Sequence, residues 1–209
     1  MKIAVVAANG KAGRKIVDEA LSRGIEVVAF GRGENKTSAS NYVRKDLFDL
    51  TKEDLSGYDA VVDAFGAWTE ETLHLHGESL ARLCDLLSGT SARLLVVGGA
   101  GSLYLDETRT SCLSDAPNFP ESFKPLASAM AKALSELRER SDVAWTYVSP
   151  AADFQADGAR TGKYLLGGEE FATNDRGESA ISYADYAIAI VDELEKGANI
   201  RRRISAYGA

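Results

Sequence analysis

The chain has 209 residues, enough for one α/β domain that buries roughly 70% of the surface of its unfolded chain. Its formal net charge of -7 and its sequence pI near 5.0 argue against nucleic acid and acidic membranes as partners. Two cysteines are too few for a disulfide framework or a metal site. The N-terminal apolar stretch is short, so we expect neither a signal peptide nor a membrane-spanning run. We expect a cytoplasmic protein, monomeric or homodimeric, without a bound metal.

The first two dozen residues predict a strand, a tight turn and a helix. Residues 3–7 form a short apolar run typical of a strand that is buried on both faces. A turn through Ala8, Asn9 and Gly10 follows, and then a helix with apolar residues on one side. Strand, glycine turn and helix in this order present free backbone N–H groups and a helix dipole to an anion. Gly10 would let the backbone approach a pyrophosphate, and Gly13 would let the helix pack close to the strand.

This motif reads A-x-x-G-x-x-G, with Ala7 where the dinucleotide fingerprint usually has glycine. In many βα turns glycine serves only the turn, so an isolated match would leave that alternative open. The motif here opens a regular β/α alternation, which favours a nucleotide site.

Apolar runs predict further elements along the chain. We predict strands at 25–30, 42–44, 59–65, 93–98, 143–148 and 203–207, helices at 69–87, 127–140 and 183–195, and a short helix start at 51–55. The glycine-rich segment 153–180 contains strand-like pieces at 164–166 and 171–173. The first six of these seven strands, counting the one at 3–7, alternate with helices, which predicts one α/β domain over residues 1–209, a doubly wound parallel sheet with a Rossmann-like NAD(P)-binding fold. Residues 153–180 would form a small C-terminal lobe on the substrate side.

Several smaller features have competing interpretations. Arg32 follows the second strand, with Lys36 nearby and no carboxylate at the strand end, which favours NADPH over NADH; the alternative is that Arg32 is a solvated loop residue.

His74 and His76 lie two residues apart on a helix, so they face different directions, and we expect both to be surface residues. The basic run 201–203 is expected to be a solvated edge. The polar segment 104–125 is long enough to be functional or mobile.

The chain resembles the atypical short-chain dehydrogenase/reductase superfamily, and within it the bacterial NADH-flavin reductase group, relatives of biliverdin reductase B. The resemblance is near full length. It is carried by these stretches: KIAVVAANGKAG at 2–13, Asp46-Leu47, VVDAFG at 61–66, RLLVVGGAGSLY at 93–104, WTYVSPAADF at 145–154, GARTGKY at 158–164 and ISYADYAIAIVDELE at 181–195.

The resemblance implies that Asp46 and Leu47 lie against the adenine and that Phe65-Gly66 follow the cofactor ribose and pyrophosphate. The segments 99–102 and 150–152 would flank the nicotinamide. Together, the glycine motif, the strand ends and the resemblance give these cofactor-binding candidates: Ala7, Asn9, Gly10, Lys11, Ala12, Gly13, Arg32, Asp46, Leu47, Ala64, Phe65, Gly66, Gly98, Gly99, Ala100, Pro150, Ala151 and Ala152.

The superfamily's alcohol dehydrogenases use a Tyr-x-x-x-Lys pair as general acid or base, and none of the eight tyrosines here has lysine four residues later. A flavin makes a lighter demand, because N5 takes hydride and solvent can supply the proton. The missing pair is compatible with a flavin or another conjugated acceptor and counts against secondary alcohols. Together with the resemblance, it leads us to expect FMN, FAD, riboflavin or another small conjugated acceptor as the substrate. The catalytic residues are unknown. Candidates to line the acceptor pocket, beneath a lid of residues 104–125 and 153–164, are Ser102, Tyr104, Phe154 and Arg160.

Two other functional classes stay open at this point. A protein of this fold could sense the NADPH/NADP ratio and signal to a partner without turnover, since fold does not fix function. A sugar-nucleotide epimerase is a third possibility, which the missing Tyr-Lys pair and the short substrate region make less attractive.

Overall fold

A computed structural model describes all 209 residues. The strands are β1 (Lys2–Val6), β2 (Glu26–Gly31), β3 (Asn41–Arg44), β4 (Ala60–Asp63), β5 (Arg93–Val97), β6 (Ala144–Pro150), β7 (Asp153–Gln155), β8 (Tyr164–Gly167), β9 (Ala180–Ser182) and β10 (Arg202–Gly208). The α-helices are α1 (Lys11–Ser22), α2 (Leu75–Leu87), α3 (Lys124–Arg138) and α4 (Tyr183–Lys196). None of these helices is long and apolar enough to cross a lipid bilayer.

Eight strands form one sheet in the order β3-β2-β1-β4-β5-β6-β10-β8, and β7 pairs with β9 in a separate two-stranded sheet. All pairs in the large sheet are parallel except β10 with β8. The chain order reverses between β1 and β4, which are hydrogen-bonded neighbours. In such sheets a ligand crevice opens at this switch point, beyond the carboxyl ends of the strands. The fold is the Rossmann-like, doubly wound α/β domain that the sequence predicts.

Two hydrophobic cores of similar size cover the two faces of the sheet. Helices α1 and α4 bury one core of 24 residues, and α2 and α3 bury the other, of 22 residues. Both faces are covered because parallel strands have two apolar faces, and this explains the apolar runs 3–6 in β1, 60–62 in β4 and 94–97 in β5.

The sequence predictions are wrong for three local elements. The helix start predicted at 51–55 is a turn, and a 3₁₀ turn at Leu47–Asp49 precedes it. No strand forms at 171–173, whereas β7 and β9, three residues each, pair with one another. The edge strand β8 is antiparallel to β10 and departs from the all-parallel prediction. Short segments depend on distant partners for their conformation, so their own residues carry little information about it.

Two residues predicted at the surface are buried. The side chain of Arg203 is 1% exposed, although it belongs to a basic run expected to be solvated. His76 is 8% exposed and faces the β4–α2 loop. Both side chains are amphipathic enough to be buried when hydrogen-bond partners are available. The partners of Arg203 are far away in the chain, at Ser102 and Glu169, whereas the partner of His76 is Ala67, nine residues earlier.

Candidate functional site

The turn that leaves β1 is closed by backbone hydrogen bonds and contains one unusual residue. The N–H of Gly10 donates to the carbonyl of Ala7 at 3.1 Å, and the N–H of Ala8 donates to the carbonyl of Phe30 at 2.9 Å. Ala7 has φ 57°, in the left-handed region. That conformation costs a residue with a β-carbon roughly 1–2 kcal/mol. The turn thus forms with alanine in the position that glycine suits best.

Helix α1 begins at this turn with its end open. Gly10 is the N-cap residue and provides no side-chain cap, and the first helical hydrogen bond runs from the N–H of Arg14 to the Gly10 carbonyl at 3.0 Å. The N–H groups of Lys11, Ala12 and Gly13 therefore have no partner within the helix. Free N–H groups at the positive end of a 12-residue helix suit a phosphate or pyrophosphate.

The two glycines of the motif serve different purposes. A β-carbon at Gly10 would meet nothing nearer than the Ala7 carbonyl oxygen at 3.4 Å, so the space above Gly10 is open to a ligand. A β-carbon at Gly13 would lie 2.8 Å from the Ala8 carbonyl oxygen and 2.9 Å from Ala8 Cα. Gly13 is therefore required for the close packing of α1 against the end of β1.

Asn9 organises the connection between β2 and β3. Its Nδ2 donates to the carbonyl of Glu34 at 2.9 Å and to the hydroxyl of Tyr42 at 2.8 Å, and its Oδ1 accepts from the N–H of Lys36 at 2.9 Å. The Tyr42 hydroxyl in turn donates to the carbonyl of Gly33 at 2.8 Å. The Asn9 side chain is thus occupied by the protein itself, and its contribution to a ligand site is to position Lys36.

The loop that leaves β4 is held from beneath by two buried side chains. Asp63 Oδ1 accepts from the N–H of Phe65 at 3.0 Å. His76 Nε2 lies 3.1 Å from the carbonyl oxygen of Ala67, and its ring meets that of Phe65 edge to face. Burial lowers the pKa of His76, although the hydrogen bond with Ala67 opposes this, so the neutral ring is favoured and Nε2–H can donate. The sequence analysis gave Asp63 no role and expected His76 at the surface. The available signal was the carboxylate of Asp63 inside a buried strand.

Asp63 is itself in an unfavourable position for a charge. It is 4% exposed, and burial raises its pKa from 3.8 to about 6, with only the Phe65 N–H acting in the opposite direction. A cavity of about 20 Å³, room for about one water molecule, lies beside it and is also lined by His76 and Tyr147.

The end of β5 is flat because two side chains lie directly beneath it. A β-carbon at Gly98 would lie 2.2 Å from Tyr147 Cε1, and one at Gly99 would lie 2.8 Å from the sulfur of Met130. The Tyr147 hydroxyl accepts from the N–H of Gly99 at 3.1 Å, and burial raises its pKa to about 12. Tyr147 therefore orders the strand end but is a poor general acid.

Of the four acceptor-pocket candidates, the structure brings Ser102 and Tyr104 together. Arg203 donates to the carbonyl and to Oγ of Ser102 at 2.8 and 2.9 Å, and its guanidinium lies 5.4 Å from the centre of the Tyr104 ring. Glu169 Oε2 pairs with Arg203 at 2.5 Å and with Arg138 at 2.6 Å. This network ties the segment after β5 to β10, so the beginning of the predicted lid is anchored.

The other two candidates lie elsewhere. The Phe154 ring packs against the tilted ring of Tyr183 at a centroid distance of 3.9 Å and also contacts Tyr186, on the α4 side of the sheet. Arg160 pairs with Glu19 near the C-terminal end of α1 at 2.9 Å. Neither makes contact with the Ser102–Arg203 network, so the four side chains do not form one cluster.

The cofactor candidates at the remaining strand ends are spread along the same edge of the sheet. Arg32 is 80% exposed, with Nε 3.9 Å from Asp46 Oδ2, and Asp46 caps the following 3₁₀ turn through the N–H of Phe48. The side chain of Leu47 is buried in the second core. After β6, Ala151 is buried, and the N–H of exposed Ala152 donates to Ser179 Oγ at 3.2 Å.

Trp68 is an aromatic side chain at this edge that sequence reasoning missed. It is 70% exposed, and its Nε1 lies 3.4 Å from the position of a β-carbon on Gly66. An indole held against the β4 loop with one open face is a surface on which a flat ring can stack. An isolated tryptophan after a strand gives little sequence signal, because most tryptophans are largely buried.

A model of the NAD(P)H-binding family matches residues 7–196. The chain belongs to the NAD(P)H-binding family. No group of three or more histidine, cysteine or acidic side chains is arranged to hold a metal ion.

Relatives cover nearly the whole chain. YwnB of Bacillus subtilis strain 168, a protein described as uncharacterized, is 46% identical over 198 residues, which is 93% of this chain and 92% of YwnB. A "putative NADH-flavin reductase" from Streptococcus pneumoniae TIGR4 is 58% identical, with complete coverage of both chains and a TM-score of 0.98. A "putative epimerase" from Bacteroides thetaiotaomicron is 32% identical, with a TM-score of 0.87 and coverage of 99% of this chain and 96% of its own.

Proposed function

We propose that the protein is an NAD(P)H-dependent reductase whose acceptor is a flavin or a similar conjugated ring. The observation that carries the proposal is the open end of α1 beneath an exposed Gly10, at the switch point of the sheet. When bound, the nicotinamide supplies a hydride. The family match supports the dinucleotide, and the name of the Streptococcus pneumoniae relative supports the flavin.

The residues of this chain fit a dinucleotide that extends along the strand ends. The N–H groups at the start of α1 would bind the pyrophosphate, and the loop held by Asp63 and His76 would lie beside it. The flat end of β5, supported by Met130 and Tyr147, leaves room for a ring to lie against the Gly98–Gly99 backbone. The protein contributes position and exclusion of water, which is what transfer between two stacked rings requires.

The available proton donors favour a conjugated acceptor over a simple carbonyl compound. Burial raises the pKa of Tyr147 to about 12 and that of Tyr186 well above its ordinary value, and no tyrosine is paired with a lysine four residues later. A carbonyl reduced to an alcohol needs a proton at its oxygen, whereas a reduced flavin spreads its charge over the ring system. The same absence speaks against an epimerase that relies on a Tyr-Lys pair.

NADPH is the proposed preferred cofactor. No carboxylate follows β2 directly, where NAD-dependent enzymes bind the ribose 2′-hydroxyl. Arg32 and Lys36 lie in the connection that Asn9 holds in place. Asp46 neutralises part of the charge of Arg32, so Arg32 alone is a weak determinant.

The test is anaerobic reduction of FMN, FAD and riboflavin by NADPH and by NADH, followed as loss of oxidised-flavin absorbance against an enzyme-free control. We expect acceleration with at least one flavin. Trp68→Ala should raise KM for the flavin, whereas Leu166→Ala, which removes an exposed apolar side chain from the edge strand β8, should not. Absence of acceleration with all three flavins, when NADPH binding is confirmed by calorimetry, would refute the reductase and favour the sensor.

A further inference from the structure

A basic cavity of about 300 Å³ lies beside the first turns of α1. Lys11, Arg14 and Lys15 line it from the first turns of the helix, at the spacing that places side chains on one face. Lys36 closes it from the β2–β3 connection, and Ala156–Asp157 close it from the segment after β7. Four cations around one cavity are unusual in a chain whose net charge is -7.

Arg14 is the most informative of these residues. Its Nε is buried without a hydrogen-bond partner, and no carboxylate lies within 4.0 Å of its guanidinium. Arg82, Arg93 and Arg203 also bury an unpartnered Nε, but each donates through another nitrogen to the protein. Arg14 thus presents a partly buried guanidinium to the cavity with its hydrogen-bonding capacity unused.

The two acidic residues of the cavity lower its charge without cancelling it. Asp18 accepts a hydrogen bond from Ser38, and Asp157, which is 95% exposed, lies 3.9 Å from Lys11 Nζ. The four cations and two carboxylates leave a net charge of +2. The backbone N–H of Lys36 donates a hydrogen bond to Asn9 Oδ1. This bond fixes the position of Lys36 at the rim of the cavity.

We propose that this cavity binds a phosphate monoester, with Arg14 and Lys36 as its principal ligands. A planar guanidinium with several free N–H donors suits a phosphate, and the positive end of α1 favours a dianion at its first turns. The phosphate has two possible sources, the 2′-phosphate of NADPH in the adjoining crevice or a separate phosphorylated small molecule. The first source rests on the proposed function; the second does not.

Calorimetric titration at constant ionic strength distinguishes the sources without turnover. The probes are adenosine 2′,5′-bisphosphate, adenosine 5′-monophosphate and inorganic phosphate. The variants are Arg14→Gln and Lys36→Gln, together with Arg32→Gln, which tests the competing cation after β2. Arg202→Gln is the matched control, since Arg202 is also without a carboxylate within 4.0 Å but is exposed at the start of β10. Lys36 is exposed, so its replacement leaves the packing of α1 intact.

If the site holds the 2′-phosphate, the bisphosphate binds wild type more tightly than the monophosphate, and Arg14→Gln lowers bisphosphate affinity by about 10- to 150-fold. If it holds a separate ligand, wild type binds inorganic phosphate, the two adenosine nucleotides bind alike, and Arg14→Gln abolishes phosphate binding. Either pattern, with Arg202→Gln equal to wild type, supports the site. Equal affinities of the Arg14, Lys36 and Arg202 variants for every probe would overturn it. Loss of bisphosphate affinity in Arg32→Gln but not in Arg14→Gln would also overturn it. Flavin reduction does not enter any of these outcomes.

Discussion

The side-chain amide of Asn9 donates a hydrogen bond of 2.8 Å to the hydroxyl of Tyr42, and so joins the turn after β1 to strand β3. Between these two residues the chain forms α1, β2 and the nine-residue connection after β2. Because the connection contains no helix, side-chain hydrogen bonds replace the packing that a helix would give it. The position of Lys36 therefore depends on Asn9 and Tyr42, which act through its backbone and through the connection rather than through its ammonium group.

Tyr42→Phe should weaken this connection. The change removes the acceptor for Asn9 and the donor to the Gly33 carbonyl, and we expect the free energy of unfolding to fall by about 1–3 kcal/mol. Urea denaturation measures the loss. Tyr58→Phe is the control, because the Tyr58 hydroxyl has no protein partner within hydrogen-bond distance and its removal should cost much less. Equal losses in the two variants would show that the Asn9–Tyr42 contact does not stabilise the protein.

Gly10→Val should weaken cofactor binding and leave stability nearly unchanged, whereas Gly13→Ala should reduce stability. Valine at Gly10 fills open space at an extended backbone position, so the melting temperature should change little while affinity for NADPH and NADH is lost. Alanine at Gly13 forces its β-carbon into the Ala8 carbonyl and should reduce the free energy of unfolding by about 1–3 kcal/mol. Thermal melts and calorimetric titration give the two measurements. Unchanged cofactor affinity in Gly10→Val would place the pyrophosphate elsewhere.

Ala7→Gly should stabilise the protein. Glycine removes the cost of the left-handed conformation but gains freedom in the unfolded chain, and the net gain should be about 0.5–1 kcal/mol. The midpoint of urea denaturation should rise. Ala8→Gly is the control for an alanine-to-glycine change without left-handed backbone. Ala8 is fully buried and its methyl group belongs to the first core, so this change should lower the midpoint. A lower midpoint for Ala7→Gly would contradict the idea that the turn is strained.

Asp63→Asn should stabilise the protein in a pH-dependent way. The pKa of Asp63 is raised by burial to about 6, so the stability that the protonated group provides is fully present below about pH 4 and is lost as the pH rises through 6. One pKa unit corresponds to about 1.4 kcal/mol, so the variant should gain about 2–3 kcal/mol over wild type at pH 8 and little at pH 3. Denaturation curves of both proteins across this range give the difference.

Asp142→Asn is the control of opposite sign. The pKa of Asp142 is lowered, chiefly by its hydrogen bonds with Arg140 at 2.8 and 2.9 Å. That stability is present above the unfolded pKa and is lost as the pH falls, so the Asp142 variant should be less stable than wild type near neutral pH and equal to it in strong acid. A pH-independent effect of Asp63→Asn would mean that the buried carboxylate is already uncharged or well solvated.

The sequence predicts the elements whose signals are local. The buried runs of β1, β4 and β5 and the glycine turn before α1 are visible in neighbouring residues, and they are enough to predict the sheet and the position of the crevice. The burial of Arg203 is not visible, because its partners Ser102 and Glu169 are far away in the chain. From the sequence alone, the basic run 201–203 is expected to be solvated, because the carboxylate of Glu169 lies next to Arg203 only in the folded protein.

The same limit explains the acceptor candidates. Ser102 and Tyr104 follow a strand end directly, so their neighbourhood could be predicted from the topology. Arg160 lies in an irregular segment, and the position of its guanidinium is decided by Glu19 on α1, 141 residues earlier in the chain. No periodicity or motif contains that pairing. The basic cavity combines residues of α1 with Lys36 in the same way.

The antiparallel pairing of β8 with β10 has a consequence for the newly made chain. β8 has β10 as its only neighbour in the sheet, and β10 emerges from the ribosome more than thirty residues later. Translation proceeds at about 5–20 residues per second. The edges of β8 and β6 that pair with β10 in the finished sheet therefore remain unpaired for seconds, until β10 has been synthesised. Leu165 and Leu166 are 41% and 47% exposed even in the finished fold, and we expect them to be exposed throughout that interval. Expression conditions that slow translation of residues 168–201 should therefore increase aggregation of the nascent protein more than an equal delay anywhere before β8.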